Sequence, residues 1–151
     1  MDYRKFATAD NADRGATLTL KDFATGEAIT APDGKPMTIQ VLGRDSKVYR
    51  DILHQRQKLT LQTLKGDASI DMADLEKQST DLLAACTVAW SWMGDPASFD
   101  AAVDTKGKLD PKKIKALECT RENAAMIYSR FLDWREQVDA FVHERANFTP
   151  A

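Results

Sequence analysis

Residues 37–53 read MTIQVLGRDSKVYRDIL, and within them the spacing of the apolar residues changes at Gly43. Before Gly43, apolar and polar residues alternate, which is the pattern of a strand with one apolar face. After Gly43 the period becomes helical, and Asp45 or Ser46 is a suitable N-cap. The change at Gly43 therefore predicts a β-rich portion followed by a helical portion.

The β-rich portion, residues 1–43, contains a second alternating run, in which Leu18 and Leu20 are separated by threonine. Turn residues at 25–27 and 32–34 lie between the two runs, where proline presets φ and glycine supplies a positive φ. We therefore expect a small antiparallel meander or hairpin. Its apolar face must be covered by the helices or by a partner protein, since a sheet this small is not stable alone.

The helical portion, residues 44–151, is predicted to form a bundle of about four helices with a loop at about 95–119. The first helix is expected over about 46–64 and the second over about 72–93. The apolar side of the first helix consists of Val48, Ile52, Leu53, Leu59 and Leu64. The apolar side of the second consists of Leu75, Leu82, Leu83, Cys86, Trp90 and Met93, with Val88 and Trp92 on its other side.

Two further helices are expected after the loop, which has one short helical turn near Pro111. Thr120 is a suitable N-cap for a helix that carries Ala124, Ile127, Tyr128 and Phe131. Asp133 and Glu136 have the spacing of a capping box, which predicts a final helix with Trp134, Val138, Phe141 and Val142 on one face. Together the elements predict an α+β fold in one domain over 1–151.

The chain has 151 residues, of which 43% are apolar, and a formal net charge of −2. A chain of this length buries a core large enough to fold without a disulfide or a metal. Cys86 and Cys119 lack a CxxC spacing and are expected to be buried thiols. Because no apolar run reaches the length of a membrane span or of a signal peptide, we expect a cytoplasmic protein.

Charge is distributed in blocks, since residues 44–65 carry a net charge of +4 and residues 66–104 carry −7. In the positive block one helical stripe, here called the basic stripe, consists of Lys47, Arg50, His54 and Lys58. Three interpretations of the stripe stay open. It binds an acidic partner or phosphate, it is an ordinary solvated face, or it lies against the acidic block of the same chain. The acidic net charge argues against nucleic-acid binding.

Residues suited to catalysis are sparse. His54 and His143 lie on different predicted helices without a zinc-binding spacing, and the common nucleophile, phosphate-loop and dinucleotide motifs are absent from the sequence. Cys86 lies on an apolar stripe, where desolvation raises the pKa of a thiol. Asp71 and Asp74 are explained as residues of a helix start. We therefore expect no enzyme activity, no cofactor and no metal site.

Four segments, in this order, resemble the tail assembly chaperone family of long-tailed bacteriophages. They are DGKPM at 33–37 with VLGRDS at 41–46 and YR at 49–50, LLAACTVAW at 82–90, TRENA at 120–124 with Tyr128, and WREQVDAFVHERANF at 134–148. The last segment is the most specific, and the resemblance spans nearly the whole chain. It does not extend to residues 95–119, and Asp133 stands where the family often has proline.

The resemblance implies a non-catalytic protein of the infected host's cytoplasm that binds the tape measure protein. It would promote polymerisation of the tail tube protein around the tape measure protein and be absent from the mature virion. Whether the protein forms a homo-oligomer, and whether a longer product is made by ribosomal frameshifting, both stay open. The alternatives are a structural virion component of the tail, neck or capsid surface, and a host-directed regulator.

A chaperone of this kind needs an apolar surface that a partner can cover and charges that steer the encounter. We hypothesise that the apolar part consists of Val88, Trp92 and Phe148 and the charged part of Lys47, Arg50 and Lys58. Trp134 and Phe141 are assigned to the core. Arg145 and Asn147 are expected to brace the end of the last helix, where cations and donors meet exposed carbonyls.

Overall fold

The computed structural model describes residues 2–65 and 72–150, and over these ranges the chain forms five α-helices and one three-stranded antiparallel sheet. The helices are α1 (Thr8–Arg14), α2 (Lys47–Lys65), α3 (Met72–Cys86), α4 (Arg121–Arg130) and α5 (Leu132–His143). The strands are β1 (Ala16–Thr19), β2 (Thr38–Val41) and β3 (Thr87–Trp90). The predicted α+β class is confirmed.

The sheet has β2 at its centre, with β1 and β3 on its two edges. Leu18 of β1 lies opposite Ile39 of β2, and Ile39 lies opposite Trp90 of β3. The alternating residues of both predicted runs are buried, namely Leu18, Leu20, Met37, Ile39 and Val41. The predicted one-sided strands are therefore confirmed, and their apolar face is covered within the chain.

Both predicted turns are present between β1 and β2. Gly26 has a φ of 74° and Gly34 a φ of 84°, which is the left-handed region that glycine tolerates. Bridges between Lys21 and Ala28 and between Thr30 and Pro36 extend the antiparallel pairing around the turns. The segment is therefore a meander with two reversals.

The predicted helix over 72–93 is wrong at its C-terminal end, because α3 ends at Cys86 and the chain continues directly as β3. The physical reason is the open edge of β2, whose backbone groups gain hydrogen-bond partners when β3 pairs with them. Trp90 and Met93 are consequently not helical. Both still reach the interior, since Met93 is buried and Trp90 Nε1 donates to the Leu117 carbonyl at 2.9 Å.

Helix α2 has the expected bounds but not the expected packing. Ser46 is its N-cap, since Ser46 Oγ accepts from the Tyr49 amide at 3.2 Å. Tyr49 is buried and Ile52 packs against the core, whereas Val48, Leu53 and Leu59 on the predicted apolar side are exposed. The side chain of Leu64, and Asp71 as a whole, lie outside the described residues.

The start of α4 is predicted correctly and the start of α5 is not. Thr120 Oγ1 accepts from the Asn123 amide at 3.1 Å and caps α4. Phe131 is the one residue between α4 and α5 and occupies the N-cap position of α5. The predicted capping box therefore falls inside the first turn, where the Asp133 carboxylate accepts from Gln137 Nε2 at 2.8 Å.

Helix α1 is an element that the periodicity did not predict, because its sequence is polar. Its buried Asn11 donates from Nδ2 to the Arg4 carbonyl at 2.9 Å. A Cβ at Gly43 would lie 2.9 Å from Ala12 Cβ and 3.2 Å from the Phe148 ring. The absence of a side chain at Gly43 therefore allows α1 and the turn after α5 to pack closely against the backbone at this position.

The long segment at 95–119 is irregular, as predicted, with short 3-10 turns that include Pro111–Lys113. It is anchored where the Asp95 amide donates to the Lys115 carbonyl at 2.7 Å.

Helices α3, α4 and α5 cover the sheet with buried residues that include Leu82, Leu83, Ile127, Tyr128, Val138 and Val142. Among the described helices, none combines the length and apolar character that crossing a bilayer requires.

Candidate functional site

The basic stripe is an exposed surface of α2. Lys47 forms an ion pair with Asp51 on the same helix, and Arg50 Nε donates to the Asp45 carbonyl at 3.0 Å. His54 and Lys58 are exposed and form no ion pair with any described residue. Within the described ranges, the stripe therefore faces solvent and does not pack against the acidic block.

The three apolar residues of the hypothesis lie on elements other than α2. Val88 is exposed on the edge strand β3 and is the extra residue of a β-bulge, since Gln40 pairs with Ala89 and Val41 pairs with Thr87. Trp92 is half-buried against the core. The placement of Phe148 on the exterior is wrong, because its ring is only 6% exposed.

Phe148 is buried because the 3-10 turn at Arg145–Phe148 folds back over the end of α5. The Phe148 ring lies edge-on to Phe141, with centroids 5.6 Å apart. As predicted, Asn147 Nδ2 donates to a carbonyl of the last helical turn, that of Phe141, at 3.1 Å. Arg145 instead pairs with Asp45, with Nε 2.6 Å from Oδ2, and this contact holds the pKa of the Asp45 carboxyl below its usual value.

Three exposed apolar residues of α2 and α3, namely Leu53, Leu61 and Leu75, meet in a groove between the two helices. This α2–α3 groove has a volume of about 600 Å³ and is lined by Leu53, Arg56, Gln57, Thr60, Leu61, Leu75, Gln78 and Ser79. The side chain of Leu61 is 60% exposed, and Leu53 and Leu75 are exposed as well. Apolar side chains gathered in an open groove are typical of a protein-docking surface.

The basic stripe runs along one edge of the α2–α3 groove. Residues three apart on a helix are neighbours, and Arg50, His54 and Lys58 each precede a groove residue of α2 by three positions. Helical geometry therefore places positive charge beside the apolar lining. The candidate site consists of this groove and its basic edge.

Arg56 is a half-buried guanidinium in the α2–α3 groove. Burial lowers its pKa, and attraction to Asp81 of α3 opposes this change. Among the described residues, Arg56 has no ion-pair partner. Within residues 2–65 and 72–150, attraction to Asp81 therefore only partly compensates its charge.

A second groove lies between α3 and α5 and differs in character. It is lined partly by the charged residues Glu76, Arg135, Glu136 and Asp139. Arg135 crosses it, with Nη1 3.1 Å from Glu76 Oε1 and 3.4 Å from Thr80 Oγ1. These internal contacts join α5 to α3, so this groove is less suited to an apolar partner.

The segment 134–148, which carries the most specific part of the resemblance, holds several elements of the fold together. Gln137 forms two hydrogen bonds to the backbone of Lys21, at 2.7 and 2.9 Å. His143 Nε2 lies 3.0 Å from the Tyr49 hydroxyl, which joins α5 to α2. Because Val138 and Val142 are buried, the segment acts mainly as a structural brace.

Burial favours the neutral form of two titratable groups in the interior, Cys86 and Tyr128. Burial raises the pKa of the Cys86 thiol to about 11, as the sequence predicts for its position. Burial also raises the pKa of Tyr128, whose hydroxyl lies 2.7 Å from Thr87 Oγ1. Both cysteines are free, with Cys86 buried and Cys119 partly exposed.

Across residues 2–65 and 72–150, no three His, Cys, Asp or Glu side chains are grouped as metal ligands would be.

The chain was compared with protein-family models, with curated proteins and with solved structures, and none of them matches it.

Proposed function

We propose that the protein is a non-catalytic tail assembly chaperone of a long-tailed bacteriophage. In the host cytoplasm it binds the tape measure protein and promotes polymerisation of the tail tube protein. The resemblance of residues 33–50, 82–90, 120–128 and 134–148 supports the family. The observation that carries a binding role is the α2–α3 groove, in which exposed leucines lie beside the basic stripe.

The groove fits this role because its apolar residues leave exposed surface that a partner can cover. Leu53 and Leu61 face solvent in the free protein, so a partner that covers them gains hydrophobic free energy upon binding. The charges of the basic stripe accelerate the encounter with an acidic partner and confer orientation. Together these features allow reversible binding without a catalytic group.

A pull-down with the tape measure protein of the same phage tests the proposal. Changing Lys47, Arg50 and Lys58 together to glutamate should abolish co-purification and leave the melting temperature unchanged, because all three side chains are exposed. The matched control changes three exposed lysines of the loop to glutamate, namely Lys112, Lys113 and Lys115. Equal recovery of the tape measure protein by both variants would contradict the steering role.

Two phage experiments separate the chaperone from a structural component of the virion. Mass spectrometry of purified particles should find no stoichiometric amount of the protein. Deletion of its gene should produce filled heads without tails. A fixed number of copies in each tail tube ring would favour the structural alternative.

A further inference from the structure

The lining of the α2–α3 groove combines apolar residues with a single kind of charge. Leu53, Leu61 and Leu75 supply the apolar part, and neutral amides and hydroxyls supply most of the rest. Among the described residues of this lining, Arg56 is the one that carries a charge. An occupant therefore meets an apolar surface with a positive group inside it.

The shape of the groove suits a third helix. Its α2 wall extends from Leu53 to Leu61, which corresponds to about 12 Å or two helical turns. A helix that lies between two others presents apolar residues at spacings of three and four. An occupant of this kind needs at least two turns of such a stripe.

Charge determines which helices fit. Arg56 lies in the groove, and Arg50, His54 and Lys58 lie one helical turn from its α2 lining. The desolvation that lowers the pKa of Arg56 is only partly offset by Asp81. A carboxylate on the occupant would compensate this charge, whereas a lysine there would be repelled.

We infer that the α2–α3 groove is the docking site for an amphipathic helix of a partner protein, with an apolar stripe that enters the groove and acidic residues beside it that meet Arg56 and the basic stripe. The identity of the partner as the tape measure protein rests on the proposed function. The chemistry of the bound helix rests on the groove itself.

Two synthetic helical peptides test the chemistry. Both carry leucine at positions i, i+3, i+4 and i+7, and the flanking positions are glutamate in one peptide and lysine in the other. In fluorescence anisotropy the glutamate peptide should bind the full chain at least about tenfold more tightly than the lysine peptide. Equal affinities of the two peptides, or no binding of either, would overturn the inference.

Two exposed leucines provide a matched pair of variants for the site. Leu61 is 60% exposed and lines the groove, whereas Leu59 is 62% exposed and lies outside the lining. Leu61→Ser should weaken binding of the glutamate peptide about tenfold, and Leu59→Ser should leave it unchanged. Equal effects of the two substitutions would show that the peptide binds elsewhere and would overturn the site.

The charge that Arg56 contributes to the groove lining needs a test of its own. Arg56→Gln should reduce the preference for glutamate over lysine peptide by about tenfold, because it removes the charge and keeps a polar side chain. Lys113→Glu, on the exposed loop, should leave the preference unchanged. An undiminished preference in Arg56→Gln would overturn the pairing with Arg56.

A third probe, the purified tape measure protein, separates this inference from the proposed function. If the glutamate peptide binds the groove and the tape measure protein does not bind, the docking site stands and the proposed function fails. If the tape measure protein binds Leu61→Ser as it binds the unaltered chain, the function stands and the inference that this protein docks in the groove is overturned. A dimer in sedimentation equilibrium that Leu61→Ser dissociates would identify a second copy as the occupant and overturn the inference.

Discussion

Two regions of the molecule place apolar residues in opposite environments. The body consists of the sheet, α4, α5 and residues 80–86 of α3, and the α2–α3 hairpin consists of α2 and residues 72–79 of α3. In the body, Ile39, Ile127 and Val138 are completely buried. In the hairpin, Leu59 and Leu61 are mostly exposed. Burial of apolar residues therefore stabilises the body, whereas Leu59 and Leu61 contribute little to the stability of the chain.

Helix α3 belongs to both regions. Residues 72–79 are exposed on every side, whereas Leu82, Leu83, Ala84 and Cys86 near its C-terminal end are buried. One helix thus joins the core to the groove. Substitutions in its two halves should therefore have different consequences.

A buried residue of the body and an exposed residue of the hairpin should differ strongly in their contribution to the free energy of unfolding. Ile127→Ala should lower the free energy of unfolding by about 3 kcal/mol, because it leaves a cavity in the core. Leu61→Ala should change it by less than about 0.5 kcal/mol. Chemical denaturation measures both values. Similar losses in the two variants would break the distinction between the regions.

A smaller effect is expected where α4 contacts the start of β3. The Thr87 hydroxyl donates to the Leu83 carbonyl at 2.9 Å, so the Tyr128 hydroxyl donates to Thr87 Oγ1. Tyr128→Phe removes this bond and should cost about 1 kcal/mol in denaturant unfolding. Tyr3→Phe, at an exposed site, is the control and should leave stability unchanged.

Burial of a thiol makes the stability of the chain depend on pH in the alkaline range. Because burial raises the pKa of Cys86 to about 11, the unfolded chain loses its thiol proton at lower pH than the folded chain does. The Cys86 contribution to the free energy of unfolding is therefore complete below about pH 9 and is lost as pH rises towards 11.

Denaturant unfolding from pH 8 to pH 11 checks this contribution. Cys86→Ala should show a shallower decrease in stability than the unaltered chain. In the hairpin, Leu61→Cys introduces an exposed thiol. Its free energy of unfolding should decrease between pH 8 and pH 11 as steeply as that of the unaltered chain. Identical profiles for Cys86→Ala and the unaltered chain would contradict the role assigned to burial.

The smallest effect is expected at the base of the hairpin, where Asp45 pairs with Arg145. The Arg145 hydrogen bond lowers the pKa of the Asp45 carboxyl, so this contribution is present at neutral pH and is lost as pH falls through that pKa. Asp45→Asn should slightly lower the melting temperature at pH 7, and the difference should vanish on acidification. A difference that stays constant as the pH falls would show that charge is not involved.

Much of the fold is predictable because local patterns coincide with tertiary contacts. The alternation in Leu18–Leu20 and Met37–Val41, the turns with Gly26 and Gly34, and the Thr120 cap are all local signals that the structure confirms. The Cys86 thiol is another, since its position on an apolar stripe implies burial.

The errors arise where non-local pairing or a short connection decides the structure. Thr87–Trp90 continues the helical spacing of α3, and pairing with the open edge of β2 makes it a strand. The sequence pattern that could have indicated a strand here was the pair of β-branched residues Thr87 and Val88. Asp133 has capping-box spacing, but Phe131 alone separates α4 from α5.

The candidate site was only half predictable. The basic stripe follows from helical spacing, and its exposure agrees with that interpretation. The α2–α3 groove could not be predicted from the sequence, because periodicity identifies an apolar face of a helix and does not show whether another element covers that face. The one indication of an exposed apolar surface was Leu61, which lies off the predicted apolar side of α2.

The direct junction between α3 and β3 restricts how the chain can change in length. Cys86 is the last helical residue and Thr87 the first strand residue, so no linker separates them. One inserted residue here would turn the helix by about 100° relative to the sheet, or move every β3 side chain to the opposite face. Insertions should therefore be tolerated at the open turn around Gly107 and rejected at this junction.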